Sequence, residues 1–501
     1  MKLNFSPKFL PFLQQNHQYS SGAFASLFSA KTRVPSSSNN SLFDRIQIVR
    51  DPRTSVVPAL EQWVCEGRTV DKRQLRYLIR TMKDFKRFNH ALQISQWMTD
   101  RRYLSLSSSD IALRLDLIHR VHGIEEAENY FNNVSNYLKT YNVYGALLSC
   151  YAQGKYVEKA EATMQKMREL DLATSSFPYN MLIKLYTETG DFDKIKNIVQ
   201  EMDQKGIPQD KYTIKNQMAA HIATSDISGM ERALNLAGNR FFVDWKLYSM
   251  MASGYLKLGS IEKALAMLKK MEGMIPYQKT NLAFEVLITL YASTGKKDEL
   301  YRVWNTYKPS EEQINGPCAS MITSLMKLDD LEGAEKVFEE WESRCTTYDF
   351  RVLNRLLVAY CRNSLFEKAE ASANKAAHGR TPYASTWNIL AVGYREHNQM
   401  PKAVEMLKKA ISVGRQGWWP QPITLDACLD YLERQGDVSE MEDMIGLLKK
   451  LGPLNRDIYH RWLRTCVAAG GSVSEVIDQM KMDGFSADEE TQEILETRPS
   501  L

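Results

Sequence analysis

The sequence has little glycine or proline and no long apolar stretch, and these shortages exclude several classes of protein. Its 501 residues include 25 Gly and 16 Pro, too few for a collagen-like or low-complexity chain. No window offers the roughly 20 unbroken apolar residues that a membrane-spanning helix needs, so we expect no membrane insertion. Apolar residues make up 44% and charged residues 25% of the chain, which is ordinary for a globular protein.

Clustered cysteines and catalytic signatures are also lacking. The seven cysteines are widely spaced and form no Cys-x-x-Cys motif, which indicates buried thiols in a reducing compartment rather than disulfides or a zinc site. The sequence contains no phosphate-binding glycine-rich loop, no nucleophile elbow and no zinc-deaminase signature. We therefore predict a protein that is not an enzyme and that holds no cofactor or metal.

The first 40 residues lack acidic side chains altogether. Their charges are all basic, they contain many serines and scattered Phe and Leu, and the first acidic residue of the chain is Asp44. This composition is typical of an organellar transit peptide. We predict that residues 1–40 are such a leader, although a disordered tail without a targeting function has the same composition. The formal charge of the whole chain is +4, so a mature chain without the leader would be close to neutral.

The strongest positive signal in the sequence is a repeat of about 35 residues. The segments Tyr179–Ile183, Phe284–Ile288, Leu353–Leu357 and Trp387–Ala391 align, and each is followed by a tyrosine. The second residue of each segment marks the register, and it recurs mostly every 34 to 36 residues. These register marks are Arg76, Leu115, Gly145, Asn180, Lys215, Ser249, Glu285, Ala319, Asn354, Asn388, Asp426 and His460. A period of this length indicates an array of stacked supersecondary units.

Within each unit the apolar pattern is that of two short helices. Leu182, Leu185 and Tyr186 fall on one helical face, and Gly190 then breaks the chain before a second amphipathic stretch. No segment has the alternating pattern of a strand. One helical hairpin cannot bury both of its faces, so neighbouring units must stack. We therefore predict an all-α fold, a right-handed superhelical solenoid of about twelve helix-turn-helix repeats.

The residues inside the repeat distinguish it from other two-helix repeats. Units such as 179–210 and 353–369 approximate the pattern Tyr-Asn-x-Leu-Ile-x-x-Tyr, then Gly, then Glu-Lys-Ala, with Met near the end, and each matches part of it. Tetratricopeptide repeats instead have Trp-x-x-Leu-Gly-x-x-Tyr in their first helix. The pattern resembles the pentatricopeptide repeat family in its simple form, and the resemblance implies a single-stranded RNA-binding protein of plant organelles. The chain then divides into a leader (1–40), a basic N-terminal extension (41–71), the repeat array (72–490) and a C-terminal tail (491–501).

The resemblance also implies where bases would be read. In this family each repeat faces one base, which is selected by the residue after the aromatic in the first helix and by the last residue of the repeat. Asn180 with Asp210 matches the family's pairing for uracil, whereas Asn354 and Asn388 have the asparagine without the matching partner. The RNA-binding residues implied in this way are Asn180, Asp210, Asn354, Asn388, Lys215, Asp244 and Ser249.

Basic residues are concentrated near the start of the array. Among residues 45–114 they clearly outnumber acidic residues, and Lys83, Lys86 and Arg87 lie beside Phe85. Basic side chains interleaved with aromatic ones are typical of a surface that holds phosphates without reading bases. We predict RNA contacts for these three residues, against the alternative of an ordinary solvated helix surface.

Two functions fit these observations. The first is a non-enzymatic adaptor that binds an organellar transcript and supports its processing, stability or translation. The second is a structural component of the mitochondrial ribosome or another organellar assembly, which would contact ribosomal RNA and ribosomal or other organellar proteins. Glu285 and Asp426 place carboxylates in the base-reading row, and this favours the second function. The mixed basic and aromatic leader favours mitochondria over chloroplasts as the compartment.

Overall fold

The chain folds into a succession of short α-helices. The computed structural model describes residues 41–49, 54–100, 104–240, 243–275, 281–306 and 314–496. The predicted leader lies outside these ranges. The described residues form 27 α-helices and no strand, so the all-α prediction is confirmed. In this part of the chain no helix is long and apolar enough to cross a membrane.

The helices fall on either side of residue 274. Those up to that residue are α1 (Leu42–Ile48), α2 (Val57–Cys65), α3 (Lys72–Asp84), α4 (Phe88–Asp100), α5 (Ser108–His122), α6 (Ile124–Asn133), α7 (Tyr141–Gln153), α8 (Val157–Glu169), α9 (Ser176–Thr189), α10 (Phe192–Gln204), α11 (Lys211–Ala223), α12 (Ile227–Arg240), α13 (Trp245–Lys257) and α14 (Ile261–Met274). Those after it are α15 (Asn281–Ser293), α16 (Lys297–Thr306), α17 (Asn315–Lys327), α18 (Leu331–Arg344), α19 (Phe350–Arg362), α20 (Phe366–Ala377), α21 (Ala384–Glu396), α22 (Met400–Ser412), α23 (Pro422–Gln435), α24 (Val438–Leu451), α25 (Arg456–Ala468), α26 (Ser474–Met482) and α27 (Glu489–Glu496).

Twelve consecutive helix pairs run from α3 to α26, which agrees with the predicted repeat number. In each pair the odd-numbered helix is the first helix and the even-numbered helix is the second. In every first helix except α5, the predicted register mark is the fifth residue of the helix. In α5 the predicted mark, Leu115, is wrong. Leu115 is fully buried in the core, and the fifth residue of α5 is Ala112. With Ala112 in register, the irregular spacing of the first units nearly disappears.

The chain forms two compact units that divide between Met274 and Ile275. The first unit contains α1–α14, and the second contains α15–α27. Neighbouring first helices contact one another, as α9 does with α7 and α11 in the first unit and α17 does with α15 and α19 in the second. The predicted stacking of helical hairpins is therefore confirmed within each unit.

The helix faces that are buried are the ones with helical apolar spacing. In α9, Leu182, Leu185 and Tyr186 are buried, and in α10, Ile198 and Met202 are buried. Each such side chain stabilises the fold by about 1.5–3 kcal/mol relative to leaving it exposed. The core is therefore distributed along the array, with each pair completed by its neighbours.

A contact of three side chains joins successive repeats. In one example the Tyr186 hydroxyl donates a hydrogen bond to Glu161 Oε1 at 2.8 Å, and Lys194 Nζ lies 2.6 Å from the same oxygen and 5.3 Å from the Tyr186 ring centroid. These side chains come from α9, α8 and α10, so a single contact joins three helices. The same arrangement recurs at Tyr151, Glu128 and Lys159, at Tyr255, Glu231 and Lys263, at Tyr360, Glu335 and Lys368, and at Tyr394, Glu370 and Lys402. This contact gives a structural role to the tyrosine and to the Glu-Lys-Ala lysine of the repeat pattern.

The cysteines are free thiols, as predicted. Those that are buried are Cys150, Cys318, Cys361, Cys428 and Cys466. Burial raises the pKa of the Cys150 thiol to about 12, so that thiol stays protonated and unreactive at neutral pH. Cys345 is half-buried and Cys65 is exposed, which departs from the expectation of buried thiols at these two positions.

Candidate nucleic-acid interface

The two positions expected to read a base have fixed places in the helix pairs, and their side chains are in contact at Arg76/Ser107, Asn180/Asp210 and His460/Asp488. One is the fifth residue of a first helix, and the other is the residue immediately before the next first helix, at its N-terminal cap. We call each such combination a readout pair. The readout pairs whose two members are described are Arg76/Ser107, Ala112/Thr140, Gly145/Ser175, Asn180/Asp210, Lys215/Asp244, Glu285/Ile314, Ala319/Asp349, Asn354/Tyr383, Asn388/Gln421, Asp426/Asn455 and His460/Asp488.

Asn180 and Asp210 form a well-organised polar pair. Asn180 Nδ2 donates a hydrogen bond to Asp210 Oδ1 at 3.1 Å. Asp210 also accepts hydrogen bonds from the Ser176 hydroxyl at 2.6 Å and from the backbone N–H groups of Tyr212 and Thr213, which it caps at the start of α11. Burial alone would raise the pKa of Asp210, but these hydrogen bonds outweigh it and lower the pKa below its usual value. The carboxylate is therefore ionised at neutral pH and fixes the orientation of the asparagine.

Two exposed aromatic side chains lie close to this pair along the chain, Phe177 one helical turn before Asn180 and Tyr212 two residues after Asp210. Phe177 and Tyr212 are the second residues of α9 and α11, and they are 41% and 58% exposed. The Phe177 ring lies against Gly145, where an added Cβ would be 3.2 Å from the ring. Lys211 Nζ lies 5.2 Å from the centroid of the Tyr212 ring. A polar pair with exposed rings nearby on the same two first helices is an arrangement that can stack an unpaired base and bond its edge.

Sequence reasoning missed Phe177 and Tyr212 as site residues. The signal that could have found them was an aromatic residue three positions before the readout residue, off the buried face of its helix. In α15 and α23 the same position carries the exposed side chains of Leu282 and Ile423. The second position of these first helices is therefore exposed although it carries an apolar residue. Burial in the core does not explain why apolar residues occur there.

Asn354 and Asn388 occupy the readout position without forming the same pair. Asn354 Nδ2 donates a hydrogen bond to Ser385 Oγ at 3.3 Å instead of contacting Tyr383, and Asn388 is buried. The side-chain amide oxygens of Asn180, Asn354 and Asn388 are all buried, and none has a hydrogen-bond partner among the described residues. An unsatisfied amide oxygen thus recurs at the same position of three repeats.

The remaining implied contacts are weaker. Lys215 is exposed. Asp244, also exposed, uses its carboxylate to accept a hydrogen bond from the Leu247 backbone N–H at 3.1 Å, which caps α13. Ser249 Oγ donates a hydrogen bond to the Lys246 carbonyl of its own helix at 2.8 Å. These side chains lie at the predicted positions, but two of them are occupied by local backbone hydrogen bonds.

The pair of Glu285 and Ile314 is closed. Gly316 is the second residue of α17, and a Cβ added to it would lie only 2.2 Å from Glu285 Oε1. The Glu285 carboxyl group therefore occupies the space that a side chain at this second position would need. Burial raises the pKa of Glu285 to about 7, against the opposing effect of Arg351. Ile314 is fully buried. This repeat therefore presents no open polar pair to a base.

At both ends of the array the readout residue is a basic side chain engaged by a carboxylate. Arg76 donates to Ser107 Oγ at 2.8 Å and to Asp110 Oδ1 at 2.5 Å. His460 Nε2 lies 3.4 Å from Asp488 Oδ1, the other member of its readout pair. These terminal pairs are committed to intramolecular contacts.

Lys83 and Lys86, which were predicted to contact phosphates, have different environments. Lys83 Nζ lies 2.6 Å from Asp116 Oδ2 and forms an ion pair between α3 and α5. Lys86 is exposed and adopts φ 59° in the turn between α3 and α4. An exposed lysine of this kind stays available to a phosphate, whereas Lys83 would have to leave its partner.

Arg87, the third residue of this prediction, lies inside the fold. Its guanidinium donates hydrogen bonds to the backbone carbonyls of Ile46, at 3.1 Å, and Val49. It also donates to His90 Nδ1 at 2.9 Å, and burial lowers the pKa of Arg87. We therefore remove Arg87 from the interface, because its donors attach α1 to the first repeat.

Comparison with known proteins identifies the repeat. A family model described as PPR repeat matches residues 143–172, 177–207, 246–274, 318–345 and 385–414. A mitochondrial pentatricopeptide repeat-containing protein of Arabidopsis thaliana is 38% identical over 85% of this chain and 88% of its own length. The chain belongs to the pentatricopeptide repeat family. The resemblance stated from the repeat pattern is thus confirmed.

This pentatricopeptide repeat protein has relatives with different assignments. The large ribosomal subunit protein mL101 of Arabidopsis thaliana is 34% identical over 91% of this chain and 94% of its own length. The crystal structure of the maize pentatricopeptide repeat protein PPR10 is 16% identical, covers 99% of this chain and 70% of that chain, and has a TM-score of 0.42. The matched segment 177–207 contains Phe177 and Asn180 and ends just before Asp210.

Proposed function

We propose that this protein is a non-enzymatic, single-stranded RNA-binding protein of plant mitochondria that supports the processing, stability or translation of a transcript. The observation that carries the proposal is the Asn180/Asp210 pair, together with the exposed rings of Phe177 and Tyr212 on the same two first helices. The mitochondrial assignment is supported by relatives that are named as mitochondrial. Residues 1–40, with their basic and acid-free composition, would supply the targeting signal.

The chemistry of this site suits an unpaired pyrimidine. The two rings would hold a base between them, and base–aromatic stacking contributes about 1–3 kcal/mol per base. The Asn180 amide offers both donors and an acceptor to the Watson–Crick edge, while Asp210 holds the amide in place. The buried amide oxygen without a partner would gain a hydrogen bond when a small rotation of the side chain exposes it to the base. The family's pairing for this combination is uracil.

The proposed footprint is short. The terminal readout pairs are engaged internally, and the Glu285 pair is closed by its own carboxyl group. Asn354 and Asn388 lack the aspartate that fixes Asn180. We therefore expect one strongly selected nucleotide, opposite the repeat of α9 and α10, with weaker preferences elsewhere.

A second candidate function is a component of the mitochondrial ribosome or another organellar assembly. It is favoured by the relative named as large ribosomal subunit protein mL101. It is also favoured by the ion pairs that occupy basic residues of the first repeats, such as Arg76 with Asp110 and Lys83 with Asp116. In that role the chain would contact ribosomal RNA through shape and phosphate rather than through bases.

Selection from a randomised single-stranded RNA pool tests the proposal. The full chain should enrich sequences with uracil at one fixed position, and Asn180→Ala should abolish that enrichment while retaining most of the general affinity. Asn129→Ala, which removes an exposed asparagine of α6 outside the readout pairs, should leave the enrichment unchanged. An RNA pool with no enriched position, or enrichment that survives Asn180→Ala, contradicts base reading at this pair and favours the assembly component.

A further inference from the structure

A second group of basic and aromatic side chains lies in the other compact unit, around the N-terminal half of α19. Its members are Arg351 and Arg355, one helical turn apart on α19, and Tyr383, the residue that precedes α21. Arg351 lies close enough to Arg355 and to the Tyr383 phenol to interact with both electrostatically. We call these three residues the α19 cluster.

Arg355 is a cation without a counter-ion. It is half-buried, and no described residue forms a hydrogen bond or an ion pair with it. Burial and the neighbouring charge of Arg351 both lower the pKa of Arg355. A desolvated charge without a partner costs free energy, and a bound anion would offset that cost.

Acidic groups near the cluster do not neutralise Arg355. Asp349 is bound by Arg351, whose Nη2 lies 2.6 Å from Asp349 Oδ2. Glu285 lies within electrostatic range of Arg351, and its raised pKa leaves it only partly ionised at neutral pH. The cluster therefore keeps a net positive charge.

Tyr383 offers a stacking surface in the same cluster, within electrostatic range of Arg351. It is 47% exposed. Its ring centroid lies 5.4 Å from that of Phe350, which in turn lies 5.1 Å from that of Tyr348. One side of the Tyr383 ring is thus anchored by other rings while much of the side chain faces solvent. An anchored exposed ring in one cluster with an unpaired guanidinium group is characteristic of sites that hold single-stranded nucleic acid without reading its sequence.

We propose that the α19 cluster is a sequence-independent nucleotide site, in which Arg355 binds an RNA backbone phosphate and Tyr383 stacks on the adjoining base. The inference rests on the proposed RNA-binding function and adds to it a site in the second compact unit. Asn354, the readout residue of this repeat, is bound to Ser385, so contact here is through charge and stacking. This site would supply affinity, whereas Asn180 and Asp210 supply selection.

The test measures binding of the full chain to labelled oligouridine and oligoadenosine of equal length, over a series of salt concentrations. Arg355→Gln should weaken binding to both RNAs by about 10-fold at low salt, because one charge-assisted hydrogen bond to phosphate is lost. It should also reduce the slope of log affinity against log salt by roughly 0.7. Tyr383→Ala should weaken both RNAs without changing that slope.

Matched variants separate this inference from the proposed function. Arg415→Gln removes an exposed arginine of the loop after α22 and should change neither affinity nor slope. Asn180→Ala should reduce the preference for oligouridine and leave the slope unchanged. If Arg355→Gln behaves like Arg415→Gln while the wild-type chain binds RNA, the α19 inference is wrong and the proposed function stands. If the Arg355→Gln chain binds RNA with unchanged affinity but loses a co-purifying protein, the inference is overturned in favour of an acidic protein partner. A wild-type chain that binds no RNA overturns both the α19 inference and the proposed function.

Discussion

Removal of the Tyr212 ring tests whether the nearby aromatics bind a base. Tyr212 is 58% exposed and does not belong to the buried core, so Tyr212→Ala should change the stability of the fold by no more than about 0.5 kcal/mol. If the ring stacks on a base, its removal should cost about 1–3 kcal/mol of binding free energy. That loss corresponds to a dissociation constant raised by about 5- to 150-fold for an RNA that carries uracil at the selected position.

The assay is fluorescence anisotropy of a labelled RNA at fixed salt, with thermal unfolding followed by circular dichroism as the check on stability. Tyr212→Phe keeps the ring and should bind like the wild-type chain. Tyr137→Ala removes a ring that is 79% exposed, between α6 and α7, and that belongs to none of the readout pairs, and it should also bind normally. The stacking argument is refuted if Tyr212→Ala and Tyr137→Ala bind equally well and their melting temperatures match that of the wild-type chain.

Two further predictions concern stability. Glu161→Gln weakens the contacts of Glu161 with Tyr186 and Lys194 and should destabilise the fold by about 1 kcal/mol. Glu169→Gln, which disturbs exposed contacts with Lys166 and Gln165 within α8, should shift the urea midpoint much less, and equal shifts would contradict the joining role of the contact. For Glu285, a folded-state pKa raised from 4.5 to about 7 means that the unfolded chain ionises first, so stability falls as pH rises through this window. Glu285→Gln should therefore raise the melting temperature at about pH 8 but not at about pH 5, and an equal effect at both values would exclude a buried carboxyl as the cause.

The architecture could be predicted from the sequence because it depends on periodic patterns. The period near 35 residues and the helical spacing of residues such as Leu182 and Tyr186 determine the helix pairs and their buried faces. The register of the second pair was misplaced on Leu115. That leucine belongs to the buried stripe of α5, and apolar spacing alone does not distinguish a core position in the middle of the helix from the fifth position. The division of the chain near residue 274 has no counterpart in the pattern.

The candidate interface was only partly predictable. Asn180 and Asp210 followed from the repeat register, and the structure places them in contact. The charge count near the N-terminus was misleading for Lys83 and Arg87, since counting charges does not reveal their partners. For Lys83 the partner, Asp116, lies 33 residues later in the next first helix, and a comparison of charges one repeat apart could have found it. For Arg87 the partners are backbone carbonyls, which no pattern of side chains reports.

The central claim is that the Asn180/Asp210 site and its nearby rings bind a defined RNA in mitochondria. The most direct measurement is crosslinking and immunoprecipitation of tagged wild-type and Tyr212→Ala chains from isolated plant mitochondria, with RNA sequencing and mass spectrometry on the same eluates. We expect one sharp RNA peak with few co-purifying proteins for the wild-type chain, and loss of that peak for the variant. Ribosomal RNA spread broadly, with a full set of ribosomal proteins and no difference between the two chains, would contradict the central claim and identify the array as a scaffold of the ribosome.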